Sequence, residues 1–186
     1  MKQLKMIRPK GEAFKRALPE GFSFAFFTEC QEDIDAWCDI CRKANMVKSG
    51  ENKDNFNKII RSVKGIDPCK DLFFVVAPDG KRIATSALIA NTEKNTGYLH
   101  MVAAIPDYRN MGIGYAMLSF ALIIAEERGL DYCILTTDDY RLPAIKNYLV
   151  GGFRPVIYDD PDSDMRARWL VVAEKLGFEE LNFIEE

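Results

Sequence analysis

Residues 102–114 of this chain read Val-Ala-Ala-Ile-Pro-Asp-Tyr-Arg-Asn-Met-Gly-Ile-Gly and connect a predicted strand to a predicted helix. The apolar run before Pro106 predicts the strand, and the apolar segment 112–128 predicts the helix. The first turn of a helix carries unpaired backbone N–H groups, and the helix dipole adds partial positive charge there. The two glycines give an anion room to approach these groups, and Arg109 adds a cationic side chain. We therefore expect a phosphate-binding loop.

Three kinds of phosphate loop compete for this stretch. A Walker loop ends in Gly-Lys followed by Ser or Thr, whereas Gly114 is followed by Tyr115 and Ala116. A dinucleotide fingerprint requires a small residue where the chain has Met117, and an acid about twenty residues later, which Asp138 supplies only weakly. What remains is R-x-x-G-x-G behind a proline, the pattern of the coenzyme A pyrophosphate loop in acyltransferases. Chance produces it in about 4–5% of chains of this length, so its place between strand and helix matters.

The rest of the pattern predicts an α/β fold with a mixed sheet. Two apolar strands around Pro78-Asp79-Gly80 predict a hairpin in a mostly antiparallel first half, and two crossovers follow. Thr28 and Gln31 resemble a capping box before the first helix, and we expect the first twenty residues to be irregular. The expected strands are 22–27, 72–76, 83–89, 98–105, 132–135 and 153–158, with a strand-like segment 181–184. The expected helices are 31–44, 56–65, 112–128, 142–150 and 164–176.

Length and composition point to one domain. The chain has 186 residues, of which 48% are hydrophobic, enough to bury one core. We expect a single domain over 1–186, with a core at about 21–158 and a C-terminal helix and strand-like tail over 162–186. No run of eighteen apolar residues and no secretory-type start is present, so we expect a soluble, cytoplasmic protein without a membrane partner. The net charge of −3 argues against a nucleic-acid partner.

The five cysteines do not form the dense, even set of a disulfide-stapled domain. Cys38 and Cys41 match C-x-x-C, the spacing of a redox pair or of half a zinc site. No second C-x-x-C follows, and the one histidine, His100, lies far along the chain. We therefore expect the pair to be buried on one helix face, and we expect no metal.

Over residues 21–158 the chain resembles the GNAT superfamily of N-acetyltransferases. The matching blocks are residues 102–114 and the pattern A-x-x-x-Y-x-x-x-G-F, which begins at Ala144 and ends at Phe153. A finer similarity, carried by residues 136–141 and the Leu99-His100 pair, is to uncharacterised bacterial members grouped near the mycothiol synthases.

The resemblance implies the GNAT acyl-CoA N-acyltransferase fold, in which the strand before the loop splays from its parallel neighbour. The pantetheine arm of acetyl-CoA pairs with backbone groups in that gap, which here implies Val102 and Ala104. A backbone N–H near Ala104 would polarise the thioester carbonyl. The family's Asn three residues before Ala144 is Arg141 here, which puts its side-chain hydrogen bond in doubt. The implied cofactor-binding residues are Val102, Ala103, Ala104, Arg109, Asn110, Met111, Gly112, Ile113 and Gly114.

Amide formation requires a base for the amine proton, a stabiliser of the oxyanion and an acid for the departing thiolate. His100 lies two and four residues before Val102 and Ala104, so simple strand alternation puts the three on one face. This makes His100 a candidate base, with a structural histidine as the alternative. The resemblance implies that Tyr148 protonates the coenzyme A thiolate; the alternative is that it packs its helix against the sheet.

Acidic residues follow two of the predicted strands. Asp138 and Asp139 lie at the sheet edge where α/β proteins bind ligands, and we consider them candidates for attracting a cationic amine. Loop carboxylates are often only solvated, which is the alternative. A second acidic run invites the same hypothesis or caps the last helix: Asp159, Asp160, Asp162 and Asp164.

The resemblance implies transfer of an acetyl group from acetyl-CoA to a primary amine of a small molecule or peptide, by direct attack in a ternary complex. A non-catalytic coenzyme A-binding sensor or assembly module is the main alternative, and a nucleotide-binding protein is a third. We also allow for a homodimer. Because the family is defined by its cofactor, the acceptor amine stays open.

Overall fold

The computed structural model describes residues 2–47, 52–157 and 164–185. Its strands are β1 (Leu4–Pro9), β2 (Ser23–Phe26), β3 (Leu72–Val76), β4 (Arg82–Asn91), β5 (Thr96–Ala104), β6 (Tyr132–Thr137), β7 (Arg154–Ile157) and β8 (Ile184–Glu185). Its helices are α1 (Gln31–Lys43), α2 (Asn52–Phe56), α3 (Pro68–Asp71), α4 (Ile113–Glu127), α5 (Leu142–Val150) and α6 (Met165–Leu176). A π-helical turn, Asn57–Arg61, continues α2, and a 3-10 turn, Pro106–Tyr108, follows β5.

The described strands form one mixed sheet in the order β2-β3-β4-β5-β6-β1-β7-β8. Neighbouring strands are antiparallel, except that β5 runs parallel to β6 and β7 runs parallel to β8. β3 and β4 form the predicted hairpin, with Phe74 opposite Thr85. The predicted α/β fold, with a mostly antiparallel first half and a parallel central pair, is confirmed.

Helices cover the two faces of the sheet. Phe120 of α4 stacks on Phe24 of β2, with ring centres 4.1 Å apart, and meets the ring of Phe73 edge-on. The next residue, Phe74, points to the opposite face, where Arg82 lies over its ring and pairs with Asp33 of α1. We call these two surfaces of the sheet the α4 face and the α1 face.

The expectation that the first twenty residues are irregular is wrong for Leu4–Pro9, which form β1, and holds for residues 10–20. β1 lies between β6 and β7, and its Leu4 and Met6 side chains are fully buried. The expected core of 21–158 therefore omits a central strand. The strand is short and interrupted by charged residues, so its own sequence signals it weakly. Hydrogen bonds to a partner on each side specify it instead.

After β1 the chain crosses the outer surface of α4, and we call residues 10–20 the N-terminal strap. The Ala13 N–H donates to the Glu126 carboxylate at 3.0 Å, near the end of α4. Midway along the helix, the Ser119 hydroxyl donates to the Phe14 carbonyl at 2.6 Å. The strap thus follows α4 towards its first turn before the chain enters β2.

Two local expectations for the first helix have different outcomes. The Thr28–Gln31 capping box is wrong, because the N–H and hydroxyl of Thr28 both donate to Asp33 at 2.8 Å. The expectation for Cys38 and Cys41 is confirmed, since both are buried on α1. Burial raises the pKa of Cys38 to about 11 and also raises that of Cys41, so both remain unreactive thiols.

We expect Met6→Ala to lower the free energy of unfolding by about 2–5 kcal/mol, because it leaves a cavity in a fully buried strand. Met111→Ala is the matched control, since Met111 is 42% exposed and its truncation should change stability by less than about 0.5 kcal/mol. Chemical denaturation of the two variants measures the difference. Equal losses would contradict the central position of β1.

Candidate active site

β5 and β6 part from each other near the middle of the sheet. They pair only from Thr96 with Tyr132 to Tyr98 with Ile134. β5 then continues to Ala104, and β6 continues to Thr137, without further pairing between them. A gap therefore opens at the carboxyl ends of the two parallel strands, where ligands bind in α/β folds.

A β-bulge lies in β5 along this gap. Ala103 pairs with Thr85 of β4, but His100 pairs with Ala87, so Met101 and Val102 together oppose a single residue. Met101 has a φ of +52°, in the left-handed region that residues other than glycine rarely adopt. The extra residue reverses the alternation of side chains beyond it.

The bulge overturns the expectation that His100, Val102 and Ala104 share one face. Pairing places His100 on the same face as Ala103, and Ala104 on the other. His100 lies on the α1 face, where its Nε2 is 2.9 Å from the Ile59 carbonyl oxygen in the π-helical turn. No glycine marks the bulge in the sequence, so simple alternation gave the wrong face.

The backbone of Ala104 faces the gap. The next residue, Ile105, donates its N–H to the Ile83 carbonyl at 2.9 Å and so points its backbone towards β4. Because successive residues of a strand point their N–H and C=O groups in opposite directions, those of Ala104 point away from β4. They are therefore available to a ligand that enters between β5 and β6.

The loop after β5 presents free amides. Asn110 has a φ of +62° and Gly112 a φ of +77°, and this alternation of conformations turns successive N–H groups to one side. In the described part of the chain, none of the N–H groups of residues 110–114 donates a hydrogen bond. The side chains of Arg109, Asn110 and Met111 are exposed. The loop can therefore hold an anion at the first turn of α4.

A chain of hydrogen bonds lines the gap on the α1 face. The Thr136 hydroxyl donates to Gln3 at 3.0 Å, so the Tyr98 hydroxyl, 2.8 Å away, must donate to Thr136. Gln3 in turn donates to Asp138 at 3.0 Å. Of these residues only Asp138 was predicted as part of the site, and nothing in the sequence around Gln3 indicates its position.

The structure gives Asp138 and Asp139 partners of their own. Asp139 accepts hydrogen bonds from Arg168 at 2.8 and 2.5 Å, and these bonds hold its pKa below the usual value. Burial works to raise the pKa of Asp138, but hydrogen bonds from Gln3 and Arg141 lower it overall. Both carboxylates are thus ionised and already paired. Their predicted role in attracting an amine stays a prediction that these contacts do not favour.

Most of the second acidic run lies outside the described residues. Asp159, Asp160 and Asp162 lie outside the described residues, as does Tyr158 at the predicted end of β7. Asp164 precedes α6 without a side-chain cap and lies 3.5 Å from Arg168.

Tyr148 lies on α5 and is only 7% exposed. Burial raises the pKa of Tyr148 to about 12, although the positive charge of Arg141 opposes the rise. Tyr98, at the point where the strands part, also raises this pKa. The phenol therefore keeps its proton at neutral pH and can serve as a donor.

Comparison with known proteins assigns the family. The model of the acetyltransferase (GNAT) family matches residues 18–153, so the chain belongs to this family. Members of this family transfer an acyl group from acetyl-CoA to an amine. The finer similarity to mycothiol synthase-like members is not confirmed. Within the described ranges, no three His, Cys, Asp or Glu side chains group as metal ligands, and no helix is long and apolar enough to cross a membrane.

Solved structures share the fold. A GCN5-related N-acetyltransferase from Sphaerobacter thermophilus has a TM-score of 0.68 at 18% identity, over 83% of this chain and 49% of that one. A GCN5-related N-acetyltransferase from Kribbella flavida has a TM-score of 0.56 at 20% identity, over 83% of this chain and 55% of that one. The ribosomal-protein-S18-alanine N-acetyltransferase from Escherichia coli has a TM-score of 0.57 at 21% identity, over 70% of this chain and 76% of that one. The chain thus spans about half the length of the first two. No curated protein sequence matches it.

We expect Gly112→Leu to weaken coenzyme A binding roughly ten- to hundredfold, because a side chain at a φ of +77° distorts the loop and covers its amides. Gly80→Leu is the matched control, since Gly80 has a φ of +83° in the turn between β3 and β4 with open space around it. Titration calorimetry with coenzyme A compares the two. Equal affinities would remove the loop from the cofactor site.

Proposed function

We propose that this chain transfers an acetyl group from acetyl-CoA to a primary amine of a small molecule or peptide, by direct attack in a ternary complex. One observation carries the proposal: the gap between β5 and β6 leads directly to the free amides of residues 110–114. A gap lined by unpaired backbone suits an extended arm with amide groups, and the loop suits a diphosphate. Coenzyme A combines the two.

The cofactor residues follow from this arrangement. The amides of Asn110, Met111, Gly112, Ile113 and Gly114 would hold the diphosphate, with the exposed Arg109 beside them. In the gap, Val102 and Ala104 would provide the backbone edge for the pantetheine arm, with Ala103 between them, and acetyl-CoA supplies the activated acetyl group as a thioester. The Ala104 N–H, which points away from β4, is placed to stabilise the carbonyl oxygen.

The acceptor amine enters from the α1 face. On β6, the side chains towards α4 are buried, including Cys133 and Leu135, whereas Ile134 and Thr136 on the other side are half-buried. Tyr98 and His100 of β5 share the half-open side, with ring centres 6.0 Å apart. The bulge, which lies beyond His100, leaves this side chain on the same side as Tyr98 and turns the side chain of Ala104 to the α4 face.

His100 acts as the base through its Nδ1 atom. A carbonyl oxygen can only accept, so Nε2 must carry the hydrogen in the bond to Ile59. The neutral ring then has its lone pair on Nδ1, which takes the amine proton directly or through a water molecule. The bond to Ile59 also fixes the orientation of the ring. The structural role that the sequence left open as an alternative is thus part of the same arrangement.

Tyr148 acts as the acid. Its raised pKa, about 12, keeps the hydroxyl protonated over the working range of the enzyme. On release of coenzyme A, the thiolate sulfur takes this proton, and the phenol recovers one from solvent. A buried donor near the point where the strands part suits this role better than packing alone.

Thiol release from acetyl-CoA tests the proposal. The purified chain is assayed with spermidine, tyramine, lysine, kanamycin and a peptide with a free N-terminal alanine. We expect amine-stimulated release with at least one of them. Coenzyme A binding without stimulated release by any amine would favour the non-catalytic module, and failure to bind coenzyme A would contradict both.

We expect Tyr148→Phe to lower kcat roughly 10²- to 10⁴-fold with little change in the affinity for acetyl-CoA, since only the proton donor is lost. Tyr132→Phe is the control, because Tyr132 lies at the opposite end of β6 from the gap. Steady-state kinetics with the best amine of the panel measures both variants. Unchanged turnover of Tyr148→Phe at saturating substrate would remove its assigned role.

For His100→Gln we expect a similar loss of kcat/KM, with the thermal transition close to that of the wild type. The Gln side chain still carries an N–H for the Ile59 carbonyl but no longer offers a base. The deficit should shrink as the pH rises, because free amine then needs no base. A deficit that stays constant from pH 7 to pH 10 would favour a purely structural histidine.

A further inference from the structure

The N-terminal strap brings a second arginine to the phosphate loop. Ser119 of α4 is buried, and its hydroxyl accepts the Arg16 N–H at 2.9 Å while it donates to the Phe14 carbonyl. The Phe14 ring stacks on Tyr115, in the first turn of α4, with centres 4.4 Å apart. The backbone of Arg16 is therefore anchored to the middle of α4, and the preceding Phe14 packs against its first turn.

The side chain of Arg16 reaches back to the loop itself. A Cβ placed on Gly112 would lie 3.6 Å from the Arg16 Nη2 atom. In the part of the chain that the structure describes, the guanidinium forms no ion pair and no hydrogen bond. It is exposed, as is the side chain of Arg109 on the loop.

This placement is unfavourable without an anion. The first turn of a helix carries partial positive charge, and the first turn of α4 contains no acidic residue to balance it. Arg16 and Arg109 add two further positive charges at the same end of the helix. A bound phosphate group relieves this repulsion and accepts two parallel N–H bonds from a guanidinium.

We propose that Arg16 binds the diphosphate of coenzyme A together with the amides of residues 110–114. The inference rests on the proposed function and adds a phosphate-binding residue that lies nearly one hundred residues before the loop. The hydrogen bond to Ser119 already restricts the backbone of Arg16 before coenzyme A binds. Binding therefore costs less conformational entropy, and a larger part of the interaction energy contributes to affinity. The strap is thus part of the cofactor site, although it belongs to neither block of the family pattern.

Titration calorimetry with coenzyme A tests the inference in the full chain. We expect Arg16→Gln to weaken binding roughly ten- to hundredfold, the effect of losing a charge-assisted hydrogen bond to phosphate. Lys15→Gln is the control: it removes the same charge from the adjacent exposed residue and should change the affinity less than about twofold. If the two variants lose the same affinity, Arg16 acts only through its net charge, and the inference is overturned.

A second ligand identifies the phosphate. With 3′-dephosphocoenzyme A, Arg16→Gln should show the same loss as with coenzyme A, because the diphosphate is still present. A loss confined to coenzyme A would overturn the assignment to the diphosphate. Wild-type binding with unchanged affinity in Arg16→Gln would contradict this inference alone, whereas failure of the wild type to bind coenzyme A would contradict the proposed function.

Discussion

The parting of β5 from β6 after Tyr98 is the constraint on which the rest of the site depends. Strand backbone that loses its partner needs another hydrogen-bonding group, and here the partner is missing along one side of each strand. Pairing on their other sides holds both strands in place, through β4 for β5 and through β1 for β6. The gap is therefore a fixed opening between two supported strands, ready for an extended ligand.

Charge is distributed in opposite ways on the two sides of this opening, after β5 and after β6. At the loop, free amides, the dipole of α4 and the guanidinium groups of Arg16 and Arg109 accumulate uncompensated positive charge. Beyond the end of β6, Arg141 and Arg168 neutralise the two carboxylates of residues 138 and 139. The positive charge at the loop favours a strongly anionic ligand, whereas the ion pairs beyond β6 stabilise the fold there. This difference supports the proposal that the cofactor binds at the loop.

The bulge in β5 places His100 and Ala104, two residues of the proposed site, on opposite faces of the sheet. His100, before the bulge, lies on the half-open α1 face, where Tyr98 and Thr136 provide polar groups, and Ala104, beyond it, faces the other side, while Tyr148 is buried on α5. His100, the proposed base, is thus half-buried, whereas Tyr148, the proposed acid, is buried. Met101, the residue with the unusual backbone conformation, lies in this bulge.

The sequence by itself determined the features that depend on near neighbours. The loop over 102–114, the helices beside it and the spacing that leads to Tyr148 are local patterns, and the mixed fold followed from them. Tertiary structure decided the rest. The place of β1, the face of His100 and the position of Arg16 depend on contacts with strands or helices far along the chain, such as β6 and α4. Local periodicity contains no information about such partners, because a strand's register and a strap's course are fixed only when distant segments pack together.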